Sequence, residues 1–355
     1  MGKKVKGIIA IAACLLIAGA GFVIYKTVKD NNVTRVQVVK EKDRTRFIGE
    51  DGVSFYSTVD TRDKIYTLID AEGDTDSYNI AKAVYAIDKK SGEIEIVPGT
   101  EKRKFGMGGI SETFGNEAYL GWVESDADYE TRTMVYDIEQ EKVVKKWHGD
   151  DWNSYFDFHV IGHRLYRLES HGKVDRIKSY DLKTGEEQQI DEIGAKGTVL
   201  AFSEHKMWYR DTRQGKGHLK GYDLRNGNYE IHNLGVAYSN LKPINEHLLA
   251  YFKDGTTEGL YLYDTQLKKS VLLNEKDAGI KASYDGKGLL ISDQLSYKID
   301  SLERIQYDNT IESEYPDNHR FSTAERIPSL LFITDVGEHE EIVLMNQDVL
   351  RWSEK

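Results

Sequence analysis

One cysteine, Cys14, and four prolines in 355 residues set the first limits on this chain. A single thiol cannot form an intramolecular disulfide, so no covalent staple holds the fold. Few prolines beside 31 glycines suit many short strands and tight turns better than long linkers. Helical periodicity is also missing: beyond the first thirty residues no stretch holds a 3.6-residue apolar period for three turns. Positive charge is in deficit, with 48 Lys and Arg against 59 Asp and Glu, a net −11. The first thirty residues hold Lys3, Lys4, Lys6, Lys26 and Lys29 against Asp30, so the remaining body is more acidic still. That excludes a general nucleic-acid binder, which needs basic patches. Catalytic signatures are absent too: there is no Gly-x-Ser-x-Gly elbow and no His-Glu-x-x-His zinc helix. The glycines of Phe105–Gly109 precede no helix and so do not form a phosphate cradle.

What the chain does contain is a recurring hairpin. Its clearest copies are Ala83–Glu93 (AVYAIDKKSGE), Lys178–Glu186 (KSYDLKTGE) and Lys220–Asn228 (KGYDLRNGN). In each, an alternating apolar run ends in Asp, and Gly follows four residues later. The Asp side chain accepts the turn's free N–H groups and Gly supplies a positive φ, so these Asp residues read as structural. Weaker copies place the marker at Asp137, Asp264, Asp300 and Asn346. A repeat of roughly 40–45 residues is the length of a propeller blade. The second strand of several repeats reads apolar–aromatic, as at Ile65-Tyr66, Leu165-Tyr166 and Met207-Trp208. The expected fold is therefore all-β: one propeller over 33–355, with seven four-stranded blades. A short sixth copy and a ragged C-terminus leave six or eight blades open.

Residues 1–32 form a separate segment. Gly7–Tyr25 is an uncharged run after three lysines, and nineteen helical residues span roughly 28 Å, about a bilayer core. This predicts one transmembrane helix with a cytoplasmic N-terminus and an extracytoplasmic body at the cell membrane. Ala18-Gly19-Ala20 keeps a removable signal peptide open, and Ile11–Cys14 (IAAC) keeps a lipidated Cys14 open. Residues 33–52 read either as a stalk or, through Val33–Val39, as the strand that closes the last blade.

Ala86, Asp88, Ser91 and Gly92 resemble the repeat of the PQQ-like and WD40-like propeller superfamilies, in which an Ala-x-Asp-x-x-Ser/Thr-Gly turn joins two outer strands. The tryptophan that ends that repeat is replaced near Ile96, while Trp147 follows the second marker. The resemblance implies a propeller fold and no particular activity. A quinoprotein dehydrogenase would also use an adjacent cysteine pair, which one cysteine cannot provide.

The longest charged loops cluster in the first three repeats, and long loops on a rigid scaffold are where recognition sits. The candidate partner-binding residues are Asp74, Asp76, Asp126, Asp128, Lys102, Arg103, Lys104, Asp150, Asp151, Trp152 and Tyr155. Exposed aromatics beside carboxylates suit a peptide or sugar, although Tyr155 and Phe156 equally read as the start of the next inner strand. Asp74, Asp76, Asp126, Asp128 and Glu130 could hold Ca2+, but their spacing is not that of an EF-hand. No cofactor, metal ligand set or catalytic residue is expected. The leading reading is a non-catalytic binding or scaffold module for a membrane or envelope protein. The alternative is a carbohydrate-active or lactonase-like hydrolase, for which only Glu112, Asp157 and Asp285 stand near inner-strand starts.

Overall fold

The computed structural model describes residues 23–26, 36–49, 53–71, 81, 83–100, 109–125, 130–148, 155–194, 200–215, 217–253, 259–275, 279–284, 288–292, 295–308, 320–321, 330–335, 340–345 and 353–354. These form seven antiparallel sheets in chain order. Blade one runs Val53–Asp60, Lys64–Ala71, Val84–Asp88 and Ile94–Ile96. Blade two runs Gly109–Gly115, Tyr119–Ser125, Thr131–Asp137 and Lys142–His148. Blade three is Tyr155–Ile161, Arg164–His171, Val174–Asp181 and Glu187–Gly194. Blade four is Ala201–Phe202, Lys206–Arg210, His218–Asp223 and Tyr229–Asn233. Blade five is Tyr238–Pro243, Leu248–Lys253, Gly259–Asp264 and Lys269–Asn274. Blade six is Ile280–Tyr284, Leu289–Ser292, Ser296–Ser301 and Arg304–Asp308. Blade seven takes Arg320–Phe321, Leu330–Asp335 and Glu340–Met345, and completes itself with Arg44–Gly49 from the other end of the chain. This is a seven-bladed β-propeller.

Alternating residues of each strand face the two neighbouring blades, so the core is a ring of inter-blade layers rather than one central mass. Phe114, Phe158, Val160 and Leu165 fill the layer between blades two and three, with Phe114 stacked on Phe158 at 5.0 Å. Leu168, Ile177, Phe202, Met207 and Tyr209 fill the next. Each fully buried large side chain contributes about 1.5–3 kcal/mol. The inner strands of blades one, two, three, five and six each break register once, as between Tyr56 and Val59 or Ser239 and Lys242. Such bulges add the local twist that inner strands need around a ring.

The hairpin grammar holds where it was clearest. Asp88 accepts from Lys90 N at 3.0 Å and Ser91 N at 2.5 Å; Asp181 accepts from Lys183 N and Thr184 N, both at 2.9 Å. Asp137, Asp223 and Asp264 act likewise toward Gln140, Arg225 and Gln266. Gly92, Gly185 and Gly227 all take φ between 72° and 79°. Blade six departs from this pattern. Its turn starts one residue later, where the Ser301 hydroxyl accepts from Glu303 N at 3.3 Å, because Ser301 and not Asp300 pairs with Arg304. Asn346 lies outside the described residues.

Closure differs from the expected strand. Arg44–Gly49, from the charged stretch, pairs with Glu340–Met345, and Val36–Lys40 is added one place further out. The reason is chemical complementarity: Arg46 grips buried Glu341 through Nε at 2.7 Å and Nη2 at 2.5 Å, and Phe47 enters a layer with Phe55, Ile65, Leu331 and Ile342. Val36 and Val38 enter the same layer. Val23–Lys26 extends the sheet once more, pairing with Val36–Lys40. Val23, Ile24 and Tyr25, expected at the end of a membrane helix, are thus strand; β-branched and aromatic residues beside an open strand edge favour that state. Gly7–Phe22 lies outside the described residues, and among the described residues no helix is long and apolar enough to cross a membrane.

Candidate functional site

A four-stranded meander sends its connections alternately to two rims. The first–second and third–fourth turns share one rim, which carries the Asp-capped hairpins. The second–third loops and the links between blades share the other. On the hairpin rim neighbouring blades are stitched together. Arg62 N donates to Glu117 Oε2 at 2.9 Å, Asn116 Nδ2 to the Gly162 carbonyl at 2.9 Å, and His205 N to Glu246 Oε1 at 2.8 Å.

The loop rim is where the sequence placed binding. Asp74, Asp76, Lys102, Arg103, Lys104, Asp126, Asp128, Asp150, Asp151 and Trp152 lie outside the described residues. Of the five residues read as a Ca2+ set, only Glu130 is described, and it is exposed. Tyr155 and Asp157 are in the inner strand of blade three, so for Tyr155 the backbone favours the inner-strand reading. Glu112 is an exposed residue of blade two's inner strand, and Asp285 is outside the described residues. The frame that holds these loops is defined. Thr100, fully buried, donates to the Val97 carbonyl at 2.8 Å and accepts from Val84 N at 3.2 Å, fixing the exit toward Lys102. Among the described residues no group of three or more His, Cys, Asp or Glu is arranged to hold a metal ion.

The charged groups within the blades were not read from the sequence. In blade three Arg167, 2% exposed, donates to Glu169 Oε1 at 2.7 Å and Glu187 Oε2 at 2.8 Å. Lys178 reaches the same two carboxylates at 2.7 and 3.3 Å. Burial works against ionisation of Glu169, but hydrogen bonds from Lys178 and Arg167 outweigh it and hold its carboxyl below the usual range. Between blades three and four, Asp191 accepts from Tyr209 Oη at 2.7 Å and Lys220 Nζ at 2.8 Å. Burial, then the hydrogen bond to Asp191, pushes the Tyr209 phenol far up. These are closed networks in which each charge has a partner; alternate residues in a strand share a face, so the spacing Arg167-x-Glu169 is compatible with the first of them without singling it out.

Two further features stand on the hairpin rim. A cleft of about 340 Å³ between blades four and five is lined by residues including His205, Lys206, Glu230, Glu246 and His247. Lys206 Nζ sits 2.6 Å from Glu230, whose other oxygen is 3.4 Å from His232 Nε2. Burial lowers the His232 pKa against the pull of Glu230, and Nδ1 lies 3.1 Å from the Tyr263 hydroxyl. In blade one, Asp60 is buried with Lys89 Nζ at 2.5 Å. Burial pushes its carboxyl up to about 6, against the pull of Lys89.

Comparison with known proteins places this geometry. No protein-family model matches the chain, and no curated protein matches it. Solved structures do. One from a structural and mechanistic analysis of two prolyl endopeptidases aligns at TM-score 0.55 and 12% identity, over 80% of this chain and 46% of its own. The chain thus spans about half that enzyme's length. A chain of a mitotic checkpoint complex aligns at 0.51 and 11% identity, over 92% and 99%. An oligogalacturonate lyase in complex with manganese aligns at 0.51 and 14% identity, over 93% and 99%. The likeness is of fold alone. A peptidase, a checkpoint assembly and a lyase share the propeller without sharing an activity.

Proposed function

We propose that this protein is a membrane-tethered, extracytoplasmic β-propeller that binds a protein partner of the cell envelope and carries out no reaction itself. The observation that carries this reading is the asymmetry of the two rims. Among the described residues, the hairpin rim of blades one to five has short turns capped by side chains, with hydrogen bonds from blade one to two, two to three and four to five. The other rim, over blades one to three, spaces its strands by long charged segments: 72–83 within blade one, 97–108 before blade two and 149–154 before blade three. Variable loops on a rigid ring are a recognition surface. The segments joined to this rim carry Lys102, Arg103 and Lys104 as well as Asp74, Asp76, Asp126, Asp128, Asp150 and Asp151, a mixed charge that sets the orientation of docking more than its strength. The PQQ-like and WD40-like resemblance of the repeat is consistent with a binding scaffold.

The tether is the lysine-flanked run from Gly7. With Val23–Lys26 in the sheet, a helix over Gly7–Phe22 spans roughly 24 Å, and local thinning of the bilayer or snorkelling of Lys6 covers the shortfall.

The test is cross-linking and capture from intact cells that express the tagged full-length chain. A stoichiometric envelope protein in the membrane fraction is expected. It is lost in an Asp150→Ala/Asp151→Ala/Trp152→Ala variant whose melting temperature is unchanged. Turnover of an oligosaccharide or lactone that disappears with Glu112→Gln would replace this reading by the hydrolase.

A further inference from the structure

We propose that the outer strand of blade two, Lys142–His148, is a docking edge that takes an extended acidic segment of a partner protein as a fifth, antiparallel strand. This deepens the binding-module reading on a surface separate from the loop rim. The strand is last in its sheet, and among the described residues nothing pairs with its outer side. It is seven residues long, against eight in the outer strand of blade three, six in blade five, five in blade four and three in blade one. An open edge presents a row of unpaired backbone donors and acceptors, the requirement for strand addition.

The molecule already uses this geometry on itself. Blade six is extended by Ser353–Glu354, with Gln306 opposite Glu354 and Tyr307 opposite Ser353. Blade seven is extended twice, by Val36–Lys40 and then Val23–Lys26. The outer edges of blades six and seven thus each take a further strand.

Charge selects the occupant. Lys142, Lys146 and His148 are exposed, and Lys145 lies over the rings of Tyr180 at 4.4 Å and Trp147 at 5.2 Å. None of these four side chains makes an ion pair with a described carboxylate, although the chain has a net charge of −11. The neighbouring outer strand of blade three is the opposite case. Its Glu187, Asp191 and Glu192 are each paired, to Arg167 at 2.8 Å, Lys220 at 2.8 Å and Arg176 at 3.3 Å. Val143, 36% exposed, adds an apolar contact between the lysines. Lysines on an edge discourage pairing with neutral or basic strands, and the same lysines favour an acidic one, so exclusion and selection come from one feature.

The probe is a fluorescein-labelled nine-residue peptide of alternating Glu and Val, titrated into the full-length chain and read by fluorescence anisotropy. A second peptide of the same sequence is N-methylated at alternate residues, which keeps the charge and removes strand pairing. The expected result is binding that weakens as salt rises, is lost on N-methylation, and falls by about tenfold or more in a Lys142→Glu/Lys146→Glu variant of unchanged melting temperature. Equal binding of both peptides would reduce the edge to a charge patch and overturn strand addition. Absence of binding, or binding indifferent to the charge reversal, also overturns it, as does a dimer of the free chain that the reversal dissolves. Because the loop residues are untouched, failure here is separable from failure of the loop-dependent capture.

Discussion

At the scale of single residues, Asp60 shows how a buried charge makes stability depend on pH. Its side chain is fully enclosed, and burial outweighs the attraction of Lys89 to push the pKa to about 6, against about 3.9 in an unfolded chain. The folded state therefore holds its proton over a window in which the unfolded state has released it. Between about pH 4 and pH 6 stability falls as pH rises, and above pH 6 the full cost remains, roughly 3 kcal/mol at most. Asp60→Asn removes the ionisation and leaves an amide oxygen for Lys89. The advantage of the variant over the parent should be largest at pH 7 and fall by about 2–3 kcal/mol at pH 4. Denaturant titrations at the two pH values check this. An advantage that grows toward pH 4 would mean that the ion pair with Lys89 prevails over burial.

At the scale of elements, five hairpins share a position four residues after their Asp, and in each it has positive φ. Three fill it with Gly92, Gly185 and Gly227; two fill it with Glu141 at 49° and Lys268 at 52°. A side chain in that conformation costs about 1 kcal/mol relative to glycine. Glu141→Gly and Lys268→Gly should each stabilise the protein by about 0.5–1 kcal/mol, as a higher denaturant midpoint at unchanged slope. Gly92→Ala should do the reverse, since its added carbon would lie 2.7 Å from Val38 Cγ2. These turns were legible because their signal is local: Asp, a spacing and a glycine determine them within five residues. Even there Asp300 misled, since a one-residue shift in pairing handed the cap to Ser301. The networks around Arg167 and Asp191 were not legible. Their partners are joined only by the pairing of strands, and 59 acidic residues offer too many alternatives. The loop rim was legible as composition and spacing, while the basic edge of blade two passed as an ordinary outer strand, because exposure and the lack of a carboxylate partner are properties of the folded ring.

At the scale of the whole molecule, the ring is shut, among the described residues, by a non-covalent clasp. Arg44–Gly49 supplies the fourth strand of a blade whose other three strands come from the far end of the chain, with Arg46 bonded to Glu341 and Phe47 buried. With one cysteine in the chain, no disulfide backs it up. Arg46→Ala leaves Glu341, 1% exposed, without its guanidinium partner, and should cost about 3 kcal/mol or more. Denaturant unfolding measures that loss, and Arg46→Ala/Glu341→Ala should recover part of it. A double variant no better than Arg46→Ala alone would show that the clasp depends on strand pairing and Phe47 instead.

The clasp also sets an order in time. Arg46 and Glu341 are 295 residues apart, so the first half of the closing pair leaves the ribosome long before the second exists. At about 5–20 residues per second the wait is on the order of 15–60 s. Through that interval Arg44–Gly49 has Val36–Lys40 on one side and nothing on the side that will take Glu340–Met345, and the blades made after it must stack as an open arc. A chaperone that shields exposed strand edges therefore has most to do here before Glu340–Met345 is made and the circle is complete.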